Sequence, residues 1–305
     1  MKSPRDPHSD IWTDWLLHRR HADDADYERH VRSAIERFAD RVLDGAQLAP
    51  DMTVADIGSG DGLVAFRAIA RVGSSLRVIL TDISASMLLH CEEISKRRGI
   101  NQQCTFLQCS AEKLDHIPNA AVDVVTTRAV LAYVTDKCAA LGEFLRILKP
   151  GGRLSIAEPV FRDDAFEAVA LKNLVDSNHG ETLDRFLPLL HRWKSAQFPD
   201  TEQKMALSPI TNYSERDLVR FVHDCGFAEI RMAFHIDILP SIITSWNAFL
   251  LMSPHPWAPC VETILTEQFT QEERQLFEKV LRPAIEDCRT TTTERVAYLT
   301  AVKPQ

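Results

Sequence analysis

Val54-Ala55-Asp56-Ile57-Gly58-Ser59-Gly60-Asp61-Gly62 is the stretch on which the fold turns. A short β-rich run, Met52–Ile57, leads straight into three alternating glycines, and Leu63–Val72 then reads as a helix. Glycines at such a corner let the backbone turn tightly and come close to a ligand. Asp82 stands at the end of the next apolar run, Leu76–Thr81, 20 residues after Gly62. A carboxylate there can accept both ribose hydroxyls of a nucleoside. NAD-binding proteins share this arrangement, and a plain strand-to-helix turn also uses glycine. The loop's own acids discriminate. The spacing from Gly58 is G-x-G-x-G, not G-x-G-x-x-G, and Asp56 and Asp61 flank the bend where a diphosphate would sit. Two carboxylates there suit a cationic ligand better.

Outward from this corner, strand and helix alternate. Ser84–Arg98 is helical and closes at Gly99; Cys104–Cys109 and Val122–Thr127 read as strands. Lys137–Leu148 is a helix ended by Lys149-Pro150-Gly151-Gly152, and Arg153–Ala157 is the fifth strand. Near-continuous apolar strands joined by helices argue for a parallel sheet covered on both faces. Ser214–Cys225 is a helix stopped by Gly226, followed by strand Ala228–Ile238 and a last strand Glu294–Val302. The expected fold class is α/β: a Rossmann-like, mostly parallel seven-stranded sheet with helices on both faces. Residues 1–49 form an N-terminal helical cap with Val31, Ile35, Phe38 and Val42 at helical spacing and Gly45 as its stop. The remaining divisions are a cofactor-binding core at 50–159, a helical insertion or substrate lid at 160–213, a core helix and strand at 214–239, a second helical insertion at 240–290, and a final strand at 291–305. Thr270-Gln271-Glu272-Glu273 is a capping box that opens a helix in the second insertion.

The whole-chain numbers exclude several classes. Across 305 residues, 45% are hydrophobic and 26% charged, ordinary for a globular chain with a sizeable core. A net charge of −8 argues against non-specific nucleic-acid binding. Met1–Asp10 is polar and unlike a signal peptide. The longest apolar-rich stretch, Ile238–Met252, is broken by polar residues and too short for a membrane span. The expectation is a cytoplasmic protein with neither nucleic-acid nor membrane partners. Seven cysteines, at 91, 104, 109, 138, 225, 260 and 288, are scattered without a C-x-x-C pair, which favours reduced thiols and gives no zinc-site spacing.

The residues at 52–159 resemble the class I S-adenosylmethionine (SAM)-dependent methyltransferases, in particular the small-molecule group related to ubiquinone and menaquinone (type 11) methyltransferases. Asp56–Gly62 resembles that family's first motif. Thr81-Asp82-Ile83-Ser84 with Met87 is similar to the second, in which the acid holds the ribose and the next residue packs near adenine. Cys109-Ser110-Ala111-Glu112 resembles the third, with Cys and Ser where Gly and Asp are usual. Asp123-Val124-Val125 and Lys149–Leu154 match the two motifs that follow. The resemblance implies SAM as cofactor, contacted by Asp56, Gly58, Ser59, Gly60, Asp82, Ile83, Met87, Ser110, Ala111 and Arg128. It implies no metal.

A methyltransferase must hold its acceptor in line with the S–methyl bond, and orientation supplies much of the rate. Candidate catalytic residues follow the fourth and fifth strands: Arg128, Tyr133 and Glu158. Relatives often carry a His-His pair where this chain has Ala132-Tyr133, so no histidine base carries over. Structural roles compete: Arg128 could pair with a core carboxylate and Tyr133 could be a packed helix-start aromatic, while Glu158, capping the fifth strand beside Pro159, could bind an amine, accept a proton or serve the structure alone. The cluster His18-Arg19-Arg20-His21 is a solvated face or a contact for a carboxylate. All five tryptophans (12, 15, 193, 246, 257) fall outside the core and either line an acceptor chamber or glue the insertions to the sheet. The expected activity is methyl transfer to an N or O atom of a small-molecule acceptor. The alternatives are a SAM-binding protein with other chemistry, a SAM-responsive interaction module, and an arsenite-type enzyme using its cysteines. A homodimer contact is expected, if anywhere, in the 240–290 insertion.

Overall fold

The computed structural model describes residues 10–21, 25–177 and 185–305; residues 1–9 of the cap and 178–184 of the first insertion lie outside them. The cap comprises Ile11–Leu17 (α1), a 3-10 turn at Arg19–His21, and Ala25–Ala46 (α2). The core follows as Thr53–Ile57 (β1), Leu63–Val72 (α3), Arg77–Asp82 (β2), Ala85–Arg97 (α4), Cys104–Gln108 (β3), Val122–Arg128 (β4), Lys137–Ile147 (α5) and Leu148–Pro159 (β5). Then come Arg162–Ser177 (α6), Leu187–Gln197 (α7), Glu202–Leu207 (α8), Glu215–Asp224 (α9), Ala228–Pro240 (β6), Trp246–Leu251 (α10), Val261–Gln268 (α11), Gln271–Glu286 (α12) and Thr291–Val302 (β7).

The seven strands form one sheet in the order β3-β2-β1-β4-β5-β7-β6. β7 is antiparallel to both β5 and β6, and the other pairings are parallel. Strand residues alternate between two apolar layers. Val54, Leu80, Val124 and Ala157 pack with α2, α3 and α4, while Ala55, Ile57, Val125, Leu154 and Ile156 pack with α5 and α9. Burial on both faces is why these strands read as almost unbroken apolar runs. The chain reverses direction in the sheet between β1 and β4, so the β1–α3 and β4 loops open side by side at the carboxyl edge, where open α/β sheets bind ligands.

Some sequence boundaries change. Gly45 does not stop the helix; it lies inside α2, where an added Cβ would sit 2.6 Å from Ser155 Oγ and 2.7 Å from Thr300 Cγ2. The missing side chain lets α2 lie flat on β5 and β7, and Ser155 Oγ donates to the Val42 carbonyl across that contact. The last two strands are longer than their apolar cores, because Leu239-Pro240 and the β-branched run Thr291–Thr293 extend the hairpin. The two insertions also share one core: Leu189 from the first packs with Ile243, Trp246, Phe249, Ile264, Phe269 and Phe277 from the second.

Candidate functional site

The glycine corner is held from three sides. Gly58, Gly60 and Gly62 all have positive φ, at 63°, 52° and 74°, a region that favours glycine. A Cβ on Gly58 would lie 2.5 Å from Val130 Cγ2, so the β1 loop and the segment after β4 can meet only through a glycine. Ser59 N–H donates to the Thr81 carbonyl (2.8 Å), and the buried Cys91 thiol donates to the Gly60 carbonyl (3.1 Å). Asp82 is fixed by Gly60 N–H on Oδ2 and Ser84 N–H on Oδ1, both at 2.9 Å. Burial raises its pKa against those two donors. Each carboxylate oxygen keeps a further acceptor site.

A cavity of about 420 Å³ runs along this corner. Asp82, Ile83, Ser110, Ala111 and Glu112 line it, together with Gly58, Gly60, Arg20 and Arg128. Trp12, Trp15, Ile35, Phe38, Tyr133, Pro159, Phe161, Pro256 and Val296 make the rest almost wholly apolar. Thus Gly58, Gly60, Asp82, Ile83, Ser110, Ala111, Arg128 and Tyr133 line one cavity. Asp56, Ser59, Met87 and Glu158 do not reach it.

The physical reasons differ. Asp56, 2% exposed, points away from the cavity and accepts from Thr126 Oγ1 (2.8 Å) and Ala65 N–H (3.2 Å). Burial pushes its carboxyl up to about 7, against the pull of Thr126 and Arg128. Ser59 is buried with no hydrogen-bond partner on its hydroxyl among the described residues, and Met87 is buried inside α4. Asp61 pairs with Arg20 (3.4 Å). Burial works against its charge, but Arg128 and Arg20 outweigh it and hold the carboxyl below its ordinary range. The acids bracketing the glycines are therefore spoken for, one by burial and one by arginine, and do not select a cationic ligand. Asp82 is the loop-facing acid left in the wall.

Glu158 has no exposed surface. Its Oε1 accepts from Thr127 Oγ1 (2.8 Å), and its Oε2 from Val130 N–H (3.0 Å) and Ala132 N–H (3.1 Å). It clamps the segment after β4, in which Ala129 takes a left-handed φ of 57°. Arg128 and Tyr133 flank that segment. Burial, then the charge of Glu158, drives the Tyr133 hydroxyl pKa up, so Tyr133 stays a hydrogen-bond donor. Lys137 braces the same segment from below, donating to the Val134 (3.0 Å) and Pro209 (2.9 Å) carbonyls, and burial lowers its pKa to about 8. Sequence spacing gives no signal for either brace.

Arg128 is half-buried in the wall, and no carboxylate among the described residues forms an ion pair with it. The basic run of the cap divides its work. Arg20 joins the cavity wall, whereas Arg19 ties the cap to the second insertion, donating to the Ala258 (2.6 Å) and Pro256 (3.3 Å) carbonyls. The tryptophans divide too. Trp12 and Trp15 line the cavity, and Trp12 meets Tyr133 (5.1 Å between centroids) and Trp257 (6.4 Å) edge-on. Trp193 and Trp246 belong to the insertion core. No group of three or more His, Cys, Asp or Glu able to hold a metal occurs among the described residues, and nothing favours the arsenite reading. No helix among them is long and apolar enough to cross a membrane.

The residues present suit a nucleoside bearing an amino-acid tail. Asp82 offers acceptor sites for ribose, Gly58 and Gly60 leave room beside it, and Arg128 is a cation in the wall that acts on Asp61 and Asp56 through space but forms no ion pair among the described residues. The model of the methyltransferase domain family matches residues 48–204, just over half the chain. The ubiquinone/menaquinone biosynthesis C-methyltransferase UbiE of Xanthomonas oryzae pv. oryzae is 39% identical over 113 residues, 37% of this chain and 44% of that protein. The same-named protein of Cellvibrio japonicus is 43% identical over 105 residues, 34% and 42% of the two chains. This chain thus spans less than half the length of those curated relatives. The YcgJ protein of Bacillus subtilis has a similar fold, with a TM-score of 0.54 at 14% identity over 88% of this chain and 99% of that one. These findings bear out the resemblance read from residues 52–159 and, with it, SAM as the cofactor: the chain belongs to the methyltransferase domain family.

Proposed function

We propose that this protein moves a methyl group from SAM to a small, largely apolar acceptor enclosed between the cap, the sheet edge and the second insertion. The observation that carries this reading is the single cavity that joins Asp82 and Ser110 to the aromatic wall of Trp12, Trp15, Phe38 and Tyr133. When bound, SAM supplies a methyl already activated on a sulfonium. Asp82 receives the ribose hydroxyls, Ser110 and Ala111 border the base, and Ile83 packs near it. Arg128 neutralises a carboxylate, that of the cofactor's amino-acid tail or of an acidic acceptor. The aromatic wall excludes water and orients the acceptor by shape.

Among the described residues, no side chain facing the aromatic wall of the cavity is built to take a proton. Glu158 is occupied with backbone donors, and Tyr133 remains protonated. The site therefore fits an acceptor whose nucleophilic lone pair is ready on arrival: an amine, or an oxygen or carbon acid that ionises readily in solution. The sequence favours N or O as the methylated atom, while the relatives are named as C-methyltransferases; the wall accommodates each. Asp56, Ser59 and Met87 act from behind the wall, shaping the glycine loop and α4. The test incubates the protein with SAM carrying a carbon-13 methyl and a panel of flat apolar amines, phenols and quinols. S-adenosylhomocysteine with a labelled product supports the reading, and the carbon shift names the methylated atom. Tight SAM binding without turnover on any of them would favour an interaction module.

A further inference from the structure

β6 closes the sheet at one side, and among the described residues no strand pairs with its outer edge. Its even-numbered residues are all apolar between Ile230 and Ile238. Ile230, Met232 and Phe234 pack on the layer that holds α9, but the same face continues uncovered as Ile236, 54% exposed, and Ile238, 68% exposed. An open, apolar edge is ordinarily blunted by charge, bulge or proline. Here those devices stand at the ends. A bulge falls between Ala228 and Arg231, with Glu229 at a φ of 49°, and Pro240 closes the strand. The stretch between them is regular.

The two charges on this stretch are poorly served within the chain. Asp237 lies directly opposite Glu294 across the β6–β7 ladder, a like-charge pair. Neither Asp237 nor Arg231 has an ion-pair partner among the described residues. We propose that β6 is a two-fold docking edge, pairing antiparallel with β6 of a second copy of this chain about Phe234. In that register Arg231 faces Asp237 of the partner subunit, twice by symmetry, and supplies the cation that Asp237 lacks at home. Met232 meets Ile236 of the partner subunit. Each bulge, at Glu229 and Ile230, falls beyond the Arg231–Asp237 pairs, so the ladder between those pairs is uninterrupted. Opposite residues in an antiparallel pair share a face, which leaves only registers shifted by two-residue steps in the sum of paired positions. Centring on Ala233 would set Glu229 against Asp237, a like-charge pair, and Arg231 against His235, which offers it no carboxylate. Centring on His235 would set Arg231 against Leu239. Charge therefore selects Phe234. The contact is made by β6 itself and not by the helices of the 240–290 insertion, and it does not depend on the methyl-transfer reading.

Sedimentation equilibrium of the full chain tests this directly. The wild type is expected to move from 34.5 kDa towards twice that mass as concentration rises. Asp237→Arg and Arg231→Asp should each raise the dimer dissociation constant about tenfold or more, and the double variant Arg231→Asp/Asp237→Arg should restore it to within about threefold. Circular dichroism checks folding, and Ile238→Lys at the exposed strand end is a second disrupting variant if a reversal fails to fold. A wild type that stays monomeric to about 100 µM overturns the proposal. So does a dimer indifferent to both single reversals, which would place the contact elsewhere, or a double variant that stays as weak as the singles.

Discussion

Glu158→Ala should unlatch the segment that carries Arg128 and Tyr133. The carboxylate accepts from three donors: the buried Thr127 hydroxyl and Ala132 N–H, and the part-buried Val130 N–H. Each buried donor left without a partner costs about 1–3 kcal/mol. The three share one segment and will relax together, so the sum is less than additive, about 3–5 kcal/mol of global stability. Ala129, held at a φ of 57°, then has less reason to keep its strained conformation. Glu158→Gln should behave differently. Its oxygen can replace Oε2 for the two N–H groups, and its amide can donate to Thr127 with the hydroxyl turned, at a cost of about 1 kcal/mol. Urea unfolding of both variants reads the stabilities, and S-adenosylhomocysteine titration reads the cavity. A pH series adds a sign. Burial raises the Glu158 pKa above its ordinary 4.5, so the folded state keeps the proton to higher pH than the unfolded chain. This residue's contribution to stability therefore falls as pH climbs from 4.5 through the folded value, then stays level. Glu158→Gln should lack that fall. An alanine variant within about 0.5 kcal/mol of wild type would refute the clamp. A glutamine variant as stable as wild type but as slow in turnover as alanine would make Glu158 a proton acceptor instead.

Further expectations follow from the same geometry. Asp82→Ala should weaken S-adenosylhomocysteine binding by about 2–3 kcal/mol, because charge-assisted acceptor sites for ribose are lost; an unchanged calorimetric affinity removes Asp82 from the site. Arg128→Gln should weaken S-adenosylhomocysteine about tenfold while sparing adenosine, which has no carboxylate. Equal loss for both would mean that Arg128 acts on the wall and not on an anion, and loss for neither assigns it to the acceptor. Asp56→Asn can keep the Thr126 and Ala65 contacts. It should fold normally and lose the decline in stability that wild type shows from its ordinary 3.8 up to about 7, since burial raises the folded pKa. Parallel pH–stability curves for wild type and variant would count against a buried, proton-holding Asp56.

The sequence by itself determined the layered α/β core. The alternation of apolar strands and amphipathic helices, the glycine corner and the acid after the second strand depend only on local backbone needs and short spacing, which a linear text records. Asp82, Gly58, Gly60, Ser110 and Arg128 all lie within or just after core strands, so strand direction alone brought them to one edge. The tertiary structure decided where the acids point. Asp56 and Glu158 belong to strands buried on both faces, and which neighbour takes their oxygens depends on Thr126, Ala65, Val130 and Ala132 arriving from elsewhere in the chain. The same holds for Asp61, whose charge Arg20 meets across 41 positions, and for the acceptor wall, where Trp12, Tyr133 and Trp257 converge from the cap, the core and the second insertion. Side-chain periodicity tells which face is apolar; which distant face covers it is settled only by packing.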